Sequence, residues 1–369
     1  MIEKVVALRK HLHAHPEPSE QEVETRKTLM KFIEDNTKNT KIVDKGRWFY
    51  AIKEEVGAKE TIALRADHDA IISEDGKAFH GCGHDGHSAI LAGTVLALDE
   101  AQTGKNVVYI FQHAEENGAG AKECVAIFDE VKIDRIYGLH NFPGFAKGEV
   151  YSIPGTMMCA SKGMSLAFEG KQSHASEPEN GNNPVYPMAK LVELVAPLVE
   201  FHGYKPVDWN GEHFEDMVLC TIVSAKVGEQ GAFGVSPSRG ELGFTLRAAR
   251  LEDLDHLSEV VEREATRLAE EAGVKVSFSY TDEFPDTANT FEEYRRLQDL
   301  LPKEGIPFHR LEQPFRGSED FGWFTKHVPG CYMVLGSGED YTPLHTIGYD
   351  FPDEIIPAGI KTFCAIVRG

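Results

Sequence analysis

The sequence is poor in cysteine and positive charge, and it lacks a long hydrophobic run. Six cysteines in 369 residues lie at scattered positions whose spacing does not suggest a disulfide framework. We therefore expect reduced thiols and a cytoplasmic protein. The first residues, MIEKVVALRKHLHAHPEPS, contain no unbroken apolar stretch of the kind that a secretory signal peptide requires. The most apolar run, residues 90–98, is only about half as long as a membrane span.

The charge balance is strongly acidic, with 38 Lys and Arg against 59 Asp and Glu and a net charge of −21. Such a chain repels phosphate backbones, and no basic stripe offsets that repulsion, so we expect neither a nucleic-acid nor a membrane partner. Hydrophobic residues make up 41% and charged residues 26%, as in ordinary globular proteins. At about 150 residues per domain, the length predicts two domains.

Strands and helices alternate in the first 160 residues. Ser19 and Glu22 form an S-x-x-E pattern, which predicts a capping box opening a helix that runs to about Asn36. Several strands end in polar residues, as is typical of active sites at the carboxyl ends of parallel strands. The alternation predicts an α/β domain with a mostly parallel sheet. The predicted strands cover residues 48–53, 61–66, 107–112 and 135–139, and a helix is predicted over 88–100.

The pattern changes after residue 160. Residues 164–280 give the order β-α-β-β-α-β, which predicts a complete ferredoxin-like domain. The alternating pattern then returns, with a buried strand at 331–336 and a closing helix from Ile356. We therefore predict one domain formed by residues 1–160 and 286–369, with residues 161–285 inserted into it.

Residues 80–87, HGCGHDGH, concentrate metal-binding side chains. The glycines allow the backbone to bend, so that Cys82 and His84 can point to one place. A thiolate and an imidazole suit Zn, Co, Ni or Mn better than Mg or Ca. A zinc knuckle would need a second Cys/His pair nearby, and none follows. A glycine-rich loop around a structural histidine is the other interpretation.

Glu115 and Glu116 follow the apolar strand VVYIFQ, and Gly118 and Gly120 come soon after. Neighbouring residues on an extended chain point in opposite directions, so the two carboxylates would have different tasks. One could bind a metal while the other takes a proton from metal-bound water. A solvated acidic loop is the alternative, but the wholly apolar strand before the pair counts against it.

Other candidate residues carry weaker signals. His140 and His345 each follow a leucine, His140 at a predicted strand end, although a lone histidine there is more often structural. Asp67 and Asp69 lie on the same side of an extended segment, where they could orient ligand histidines or contact a metal. His174 follows the first strand of the predicted inserted domain.

Taken together, these segments resemble the acetylornithine deacetylase and aminoacylase group of dinuclear metallohydrolases. Within that group the chain is most similar to N-acyl-amino-acid amidohydrolases, hippurate hydrolases, auxin-conjugate hydrolases and N-acetyldiaminopimelate deacetylases. The resemblance spans nearly the whole chain, and the C-G-H-D-G-H element is specific to this branch, because sister branches have aspartate in place of Cys82. The motifs that carry it are LRKHLHAHPEPSEQEVET, RADHDA, HGCGHDGHSA, QHAEENGAGA, GLHNFPGFAKGEV, GKQSHASEP, SEDFGWF and LHTIGYDFPDE.

The resemblance implies a zinc-peptidase-like catalytic domain with an inserted lid and dimerisation domain, hence a homodimer. It implies Glu115 as the general base, and Asp67 and Asp69 as the acidic pair before the site. It also implies that His174 polarises the scissile carbonyl, often in the partner subunit's active site, and that Arg247 binds the substrate carboxylate. The five ligands implied for a pair of Zn, Mn, Co or Ni ions are Cys82, His84, Glu116, His140 and His345.

Some residues depart from the pattern of this branch. His68 stands where an apolar residue is usual, His113 where proline is usual, and Asn117 where glycine is common. The loop between Ile72 and His80 is short. These changes concern substrate scope and metal preference, because they lie beside the predicted metal pocket.

The activity expected from the resemblance is metal-dependent hydrolysis of N-acetyl or N-benzoyl amino acids. A dipeptidase or carboxypeptidase using the same site is the alternative, since both reactions act on an amide near a carboxylate. Two other hypotheses remain. One is a thiol hydrolase with Cys82 as the nucleophile. The other is a metal-storing or regulatory protein without turnover, in which Glu115 would have no purpose.

Overall fold

The computed structural model describes all residues, Met1–Gly369, and the chain divides into two compact units. The first comprises Met1–Met157, Thr287–Pro314 and Glu319–Gly369. The second comprises Met158–Asp286 and Phe315–Ser318. The short segment Phe315–Ser318 was expected in the catalytic domain. It joins the second unit because Phe315 bridges to Met158 and the Ser318 hydroxyl donates to the Cys159 carbonyl at 2.7 Å.

Nine α-helices alternate with the strands. In chain order they are α1 (Ile2–Ala14), α2 (Val23–Asn36), α3 (His84–Leu98), α4 (Gly120–Cys124), α5 (Val185–Val195), α6 (Leu251–Glu271), α7 (Phe291–Leu300), α8 (Gly322–Thr325) and α9 (Ile356–Arg368).

Twenty strands form the sheets of the two units. They are β1 (Lys41–Asp44), β2 (Phe49–Lys53), β3 (Thr61–Asp67), β4 (Ile71–Ile72), β5 (Ala78–Phe79), β6 (Asn106–Gln112), β7 (Arg135–Pro143), β8 (Val150–Ser152), β9 (Gly155–Met158), β10 (Ala160–Glu169), β11 (Ser173–His174), β12 (Val207–Trp209), β13 (Glu212–Phe214), β14 (Val218–Val227), β15 (Val235–Ser236), β16 (Arg239–Ala248), β17 (Lys275–Phe284), β18 (Thr287–Asn289), β19 (Phe308–Arg310) and β20 (Gly330–Gly338).

The first unit is built on an eight-stranded sheet with the order β1-β2-β6-β3-β7-β20-β8-β19. Its four central strands β6, β3, β7 and β20 run parallel to one another. Every residue of β3 is buried, as expected of a parallel strand covered on both faces. Helix α3 is buried on nearly every side and packs against β3, α1 and α9. The predicted α/β class with a mostly parallel sheet is confirmed.

The second unit contains a four-stranded antiparallel sheet with the order β14-β16-β10-β17. In chain order this is the arrangement of the predicted split β-α-β-β-α-β motif. Helices α5 and α6 cover one face of the sheet, and buried residues of α6 such as Leu254, Leu257 and Val261 recur at helical spacing.

Three local expectations differ from the structure. Helix α2 begins at Val23 without a capping box, because the Ser19 hydroxyl donates to Asp69 at 2.8 Å and the Glu22 carboxylate accepts from the Ala114 amide at 2.7 Å. Helix α3 begins four residues before the predicted start at Ser88. Strand β7 continues to Pro143, so His140 lies within the strand.

Gly83 fixes the start of α3 and therefore the position of His84. Its φ is +94°, a value that side chains other than glycine rarely adopt. A Cβ atom at this position would lie 2.4 Å from Asn141 Oδ1, so space also requires glycine.

We expect Gly83→Ala to lower the free energy of unfolding by about 3 kcal/mol, since backbone strain and overlap add. Gly57→Ala is the matched control, because Gly57 also has a positive φ of +81° but nothing within 4 Å. It should cost only about 1–2 kcal/mol. Chemical denaturation of both chelator-treated variants measures the difference, and equal losses would contradict the role of Asn141.

Candidate active site

The candidate site lies where three neighbouring parallel strands present polar residues. Asp67 is the last residue of β3, and the loop after β6 carries Glu115 and Glu116. In β7, Gly138 is the last residue that pairs with β3, and His140 lies two positions after it. Ligands of open α/β sheets commonly bind at such carboxyl ends.

The predicted ligands come together around the start of α3. Cys82 Sγ lies 3.4 Å from His140 Nε2 and 3.3 Å from His345 Nε2. His84 Nε2 lies 3.7 Å from Glu116 Oε1, and His345 Nε2 lies 3.9 Å from the same oxygen. Residues from four separate parts of the sequence therefore surround one small volume.

Three overlapping triads in this volume have donor atoms spaced for metal binding, with all atoms of a triad within 4.8 Å of one another. Thiolate, imidazole and carboxylate donors suit Zn, Mn, Co or Ni. The triads are Cys82–His84–His140, Cys82–Glu116–His345 and His84–Glu115–Glu116.

Two buried atoms in this volume lack any hydrogen-bond partner, namely His84 Nε2 and Glu116 Oε1. Buried polar atoms are nearly always paired, so these two are available for a ligand. On the other side of the His84 ring, Nδ1 lies 2.9 Å from Asp69 Oδ1, and His140 Nδ1 lies 2.8 Å from the Asn141 carbonyl oxygen. In the neutral form of each ring, donation from Nδ1 leaves Nε2 as a lone-pair donor directed into the site, the usual arrangement of metal-binding histidines.

Asp67 and Asp69 have different partners. Asp69 accepts from the Glu116 amide at 3.0 Å as well as contacting the His84 ring, so it orients two candidate ligands. Asp67 instead pairs with Arg65 at 2.7 Å and with His87 Nδ1 at 2.7 Å. Asp69 therefore hydrogen-bonds to the candidate ligand His84, whereas Asp67 Oδ1 lies 3.9 Å from the same ring nitrogen.

Arg65 is a buried cation that sequence reasoning missed. Its guanidinium pairs with Asp67, with Glu319 at 2.9 Å and with Asp320 at 2.8 Å. Gln112 also bonds to both Arg65 and Asp320. Glu319 and Asp320 belong to the SEDFGWF motif, but the sequence does not show that they pair with an arginine about 250 positions away.

Hydrogen bonds at Ala114 hold the loop that carries Glu115 and Glu116 in place. Ala114 has a φ of +47°, a left-handed value that is unfavourable for alanine. Its amide donates to the buried Glu22 carboxylate at 2.7 Å, and its carbonyl accepts from the Gly120 amide at 2.9 Å. Glu22 was predicted as part of a helix cap, so this positioning role was also missed.

The pKa values of the two glutamates are raised. Burial, with the nearby Glu319 and Glu116, raises the pKa of Glu115 well above its usual range. Burial also raises the pKa of Glu116 to about 7. A carboxyl group with a raised pKa can take up and release a proton near neutral pH.

The pKa values of the three candidate ligand histidines shift in different directions. Burial lowers the pKa of His84, but Asp67 and Asp69 outweigh it and raise the value to about 10. Burial, helped by His87, lowers the pKa of His140 well below its usual range. Burial also lowers the pKa of His345. Neutral His140 and His345 are suitable metal ligands as they stand.

The two remaining candidates, His174 and Arg247, belong to the second unit. His174 is exposed on β11, with Nδ1 2.6 Å from the Ser176 hydroxyl. Arg247 is on β16 and donates to the Ser318 hydroxyl at 2.6 Å.

The unusual histidines lie in the first unit, His68 between Asp67 and Asp69 and His113 three positions before Glu116. His68 is fully buried, and neither ring nitrogen has a hydrogen-bond partner. Burial lowers its pKa to about 3, so the ring is neutral. His113 Nε2 lies 3.4 Å from Glu123, and the Asn117 amide donates to Glu20 at 3.2 Å.

Comparison with known proteins identifies the class. Residues 63–369 match Peptidase family M20/M25/M40. The chain therefore belongs to this family and is a metal-dependent amidohydrolase or peptidase, as the sequence motifs predicted.

Individual relatives cover nearly the whole chain. It is 28% identical to the IAA-amino acid hydrolase ILR1-like 4 of Arabidopsis thaliana, over 96% of this chain and 83% of that protein. It is 25% identical to the N-acetylcysteine deacetylase of Bacillus subtilis, over 90% of this chain and 88% of that protein. The fold matches the crystal structure of the B. subtilis YXEP protein, a dinuclear metal binding peptidase, with a TM-score of 0.81, 22% identity and coverage of 100% and 97%.

The raised pKa of His84 gives a test of the electrostatics. In chelator-treated protein we expect the His84 ring to stay protonated at pH 8, because Asp67 and Asp69 hold its pKa at about 10. Its contribution to stability is then complete below about pH 6.5 and is lost as the pH rises through about 10. NMR of histidine-labelled protein, with His84→Gln to assign the signal, measures the protonation state. A ring that is neutral at pH 7 would show this electrostatic account to be wrong.

Proposed function

We propose that this protein hydrolyses the amide bond of N-acyl amino acids, such as N-acetyl or N-benzoyl amino acids, at a site for two divalent metal ions. The observation that carries the proposal is the cluster of candidate donor atoms around His84 Nε2 and Glu116 Oε1, two buried atoms that have no hydrogen-bond partner. Bound ions of Zn, Mn, Co or Ni would supply an activated water, since metal binding lowers the pKa of water from 15.7 to about 7.

The proposed ligands differ in how they are held. Cys82 sits in the bend before α3, and Asp69 orients His84 through Nδ1. Asp69 also holds the Glu116 backbone, so one carboxylate positions two ligands from different loops. The full proposed ligand set is Cys82, His84, Glu116, His140 and His345.

Glu115 is the proposed general base. It lies beside the ligands, with Oε2 3.9 Å from His84 Nε2, and the acidic neighbours Glu319 and Asp320 keep its affinity for a proton high. A carboxylate of this kind accepts a proton from the attacking water and later donates it to the leaving amine. A protein that only stored metal would have no use for this group.

Cys82 serves as a ligand in this proposal and not as a nucleophile. Burial, reinforced by Glu116 and Glu115, raises the pKa of the Cys82 thiol well above its usual range. Nucleophilic cysteines have lowered pKa values, usually beside a protonated histidine. The histidines that contact Cys82 are His140 and His345, whose pKa values are lowered. A bound metal cation would stabilise the Cys82 thiolate, whereas the neutral rings of His140 and His345 do not.

Further roles follow from the family resemblance. We assign Asp67 and Asp69 to the support of the catalytic centre, Asp67 through its contacts with Arg65 and His87. His174 is proposed to polarise the scissile carbonyl, which would stabilise the tetrahedral oxyanion by about 3 kcal/mol. Arg247 is proposed to bind the substrate carboxylate, for which a guanidinium is well suited.

The substrate class is supported by the relatives. Their names specify hydrolysis of an IAA–amino acid and deacetylation of N-acetylcysteine, and both are amides of an amino acid. The second candidate, a dipeptidase or carboxypeptidase, is supported by the family description and by the peptidase with the matching fold.

We also propose that the second unit forms a homodimer interface. Strand β14 is at the edge of its sheet, and an unpaired edge readily adds a strand from another chain. Large apolar side chains are exposed on β14 and after it, namely Val223, Val227, Phe233 and Val235.

No α-helix has both the length and the apolar character needed to span a membrane.

The adjacent glutamates provide the test of the catalytic proposal. Glu115→Gln should retain metal but lose about 10²–10⁴-fold in kcat, because the general base is removed. Glu116→Gln is the matched variant, and it should lower metal affinity by more than about tenfold. Metal content, by elemental analysis, and amine release are measured on both. Parental turnover in Glu115→Gln, or parental metal affinity in Glu116→Gln, would show the assignments to be wrong.

A further inference from the structure

A cavity of about 660 Å³ in the first unit is lined by the candidate ligands Glu116 and His345. One wall includes residues of the short hairpin of β4 and β5. Six of the other eleven lining residues have apolar side chains, namely Pro18, Ala70, Ile71, Ile72, Phe79 and Ile347.

Two of these apolar side chains are unusually exposed. Ile72 is 60% exposed and Ile347 is 78% exposed, although isoleucine is among the residue types most often buried. They belong to different segments of the chain, yet both line the same cavity. An apolar ligand in the cavity would remove both side chains from water, which is favourable.

The charge of the cavity is one-sided. Its lining includes the carboxylates Glu74 and Glu116 but no lysine or arginine. Glu116 is a proposed metal ligand, so the repulsion of an anionic acyl group at this wall comes from Glu74, and no lysine or arginine of the lining pairs with a carboxylate. The part of such a substrate that suits the cavity is its uncharged acyl group.

We propose that this cavity binds the apolar acyl group of the substrate and that Ile72, Ile347 and Glu74 determine acyl specificity. The inference rests on the proposed N-acyl amino acid hydrolysis. Cavities of about 300–1,000 Å³ hold whole drug-sized ligands, so an acetyl group would fill only a small part of this one. Medium-length aliphatic and aromatic acyl groups are therefore the preferred class.

The test is an N-acylglycine series that varies only in the acyl group, with N-acetyl, N-hexanoyl, N-benzoyl and N-succinyl members. Equilibrium binding to the metal-loaded Glu115→Gln protein is measured by calorimetry, and amine release by the parent enzyme is measured separately. Each buried methylene strengthens binding about fourfold, so N-hexanoylglycine should bind at least about tenfold more tightly than N-acetylglycine. N-succinylglycine should bind most weakly because of its second carboxylate.

Variants locate the effect. Ile72→Ser and Ile347→Ser should each reduce the hexanoyl-to-acetyl affinity ratio by about fourfold or more. Val56→Ser is the matched control, because Val56 is fully exposed and lies outside the cavity, and it should leave the ratio unchanged. Glu74→Lys should strengthen N-succinylglycine binding by about fivefold, which a merely damaged protein would not do.

The outcomes separate the two proposals. Affinity that depends on acyl length and on Ile72, but without amine release, would support the cavity assignment and contradict the proposed hydrolysis. Amine release with equal affinity for all acyl groups would support hydrolysis and overturn the cavity assignment. Preference for N-succinylglycine, or equal effects of Ile72→Ser and Val56→Ser on the ratio, would also overturn it.

Discussion

The constraint on which the active site depends is an excess of carboxyl groups at the ends of β3 and β6 and in the neighbouring loops. Burying charge is costly unless opposite charge is close. Arg65 is the one arginine among these acids, and without metal a protonated His84 is the other cation. Two divalent cations would supply the missing positive charge, which explains why such a costly cluster is present. The six carboxyl groups are Asp67, Asp69, Glu115, Glu116, Glu319 and Asp320.

The same acids divide into two layers with different tasks. Glu319 and Asp320 pair with Arg65 and form a buried cluster of ion pairs. Asp67 also pairs with Arg65, whereas Asp69 holds both the His84 ring and the Glu116 backbone. This arrangement supports the different tasks that we propose for the adjacent glutamates. One is turned towards the ligand cluster, and the other lies against acids that raise its pKa.

The motifs in the sequence indicate which residues are candidate ligands. They do not show which distant residues hold those ligands in place. Ligand types concentrated at strand ends, as in HGCGHDGH, reveal metal chemistry locally. Arg65 and Glu22 act through partners about 250 and 90 positions away, and a single sequence does not show such pairs. The capping box failed for the same reason, because Glu22 bonds to the distant Ala114 amide instead of its own helix. The alternation of elements predicted both sheets, since hydrophobic periodicity is a local property.

The central claim is that bound metal ions and Glu115 together hydrolyse N-acyl amino acids. The most direct measurement is amine release from N-acetyl and N-benzoyl amino acids and simple dipeptides, by chelator-stripped protein with Zn, Mn or Co added back. We expect stripping to abolish release, added metal to restore it, and N-acyl amino acids to be cleaved in preference to dipeptides. Activity that survives stripping and is lost on thiol alkylation would contradict it.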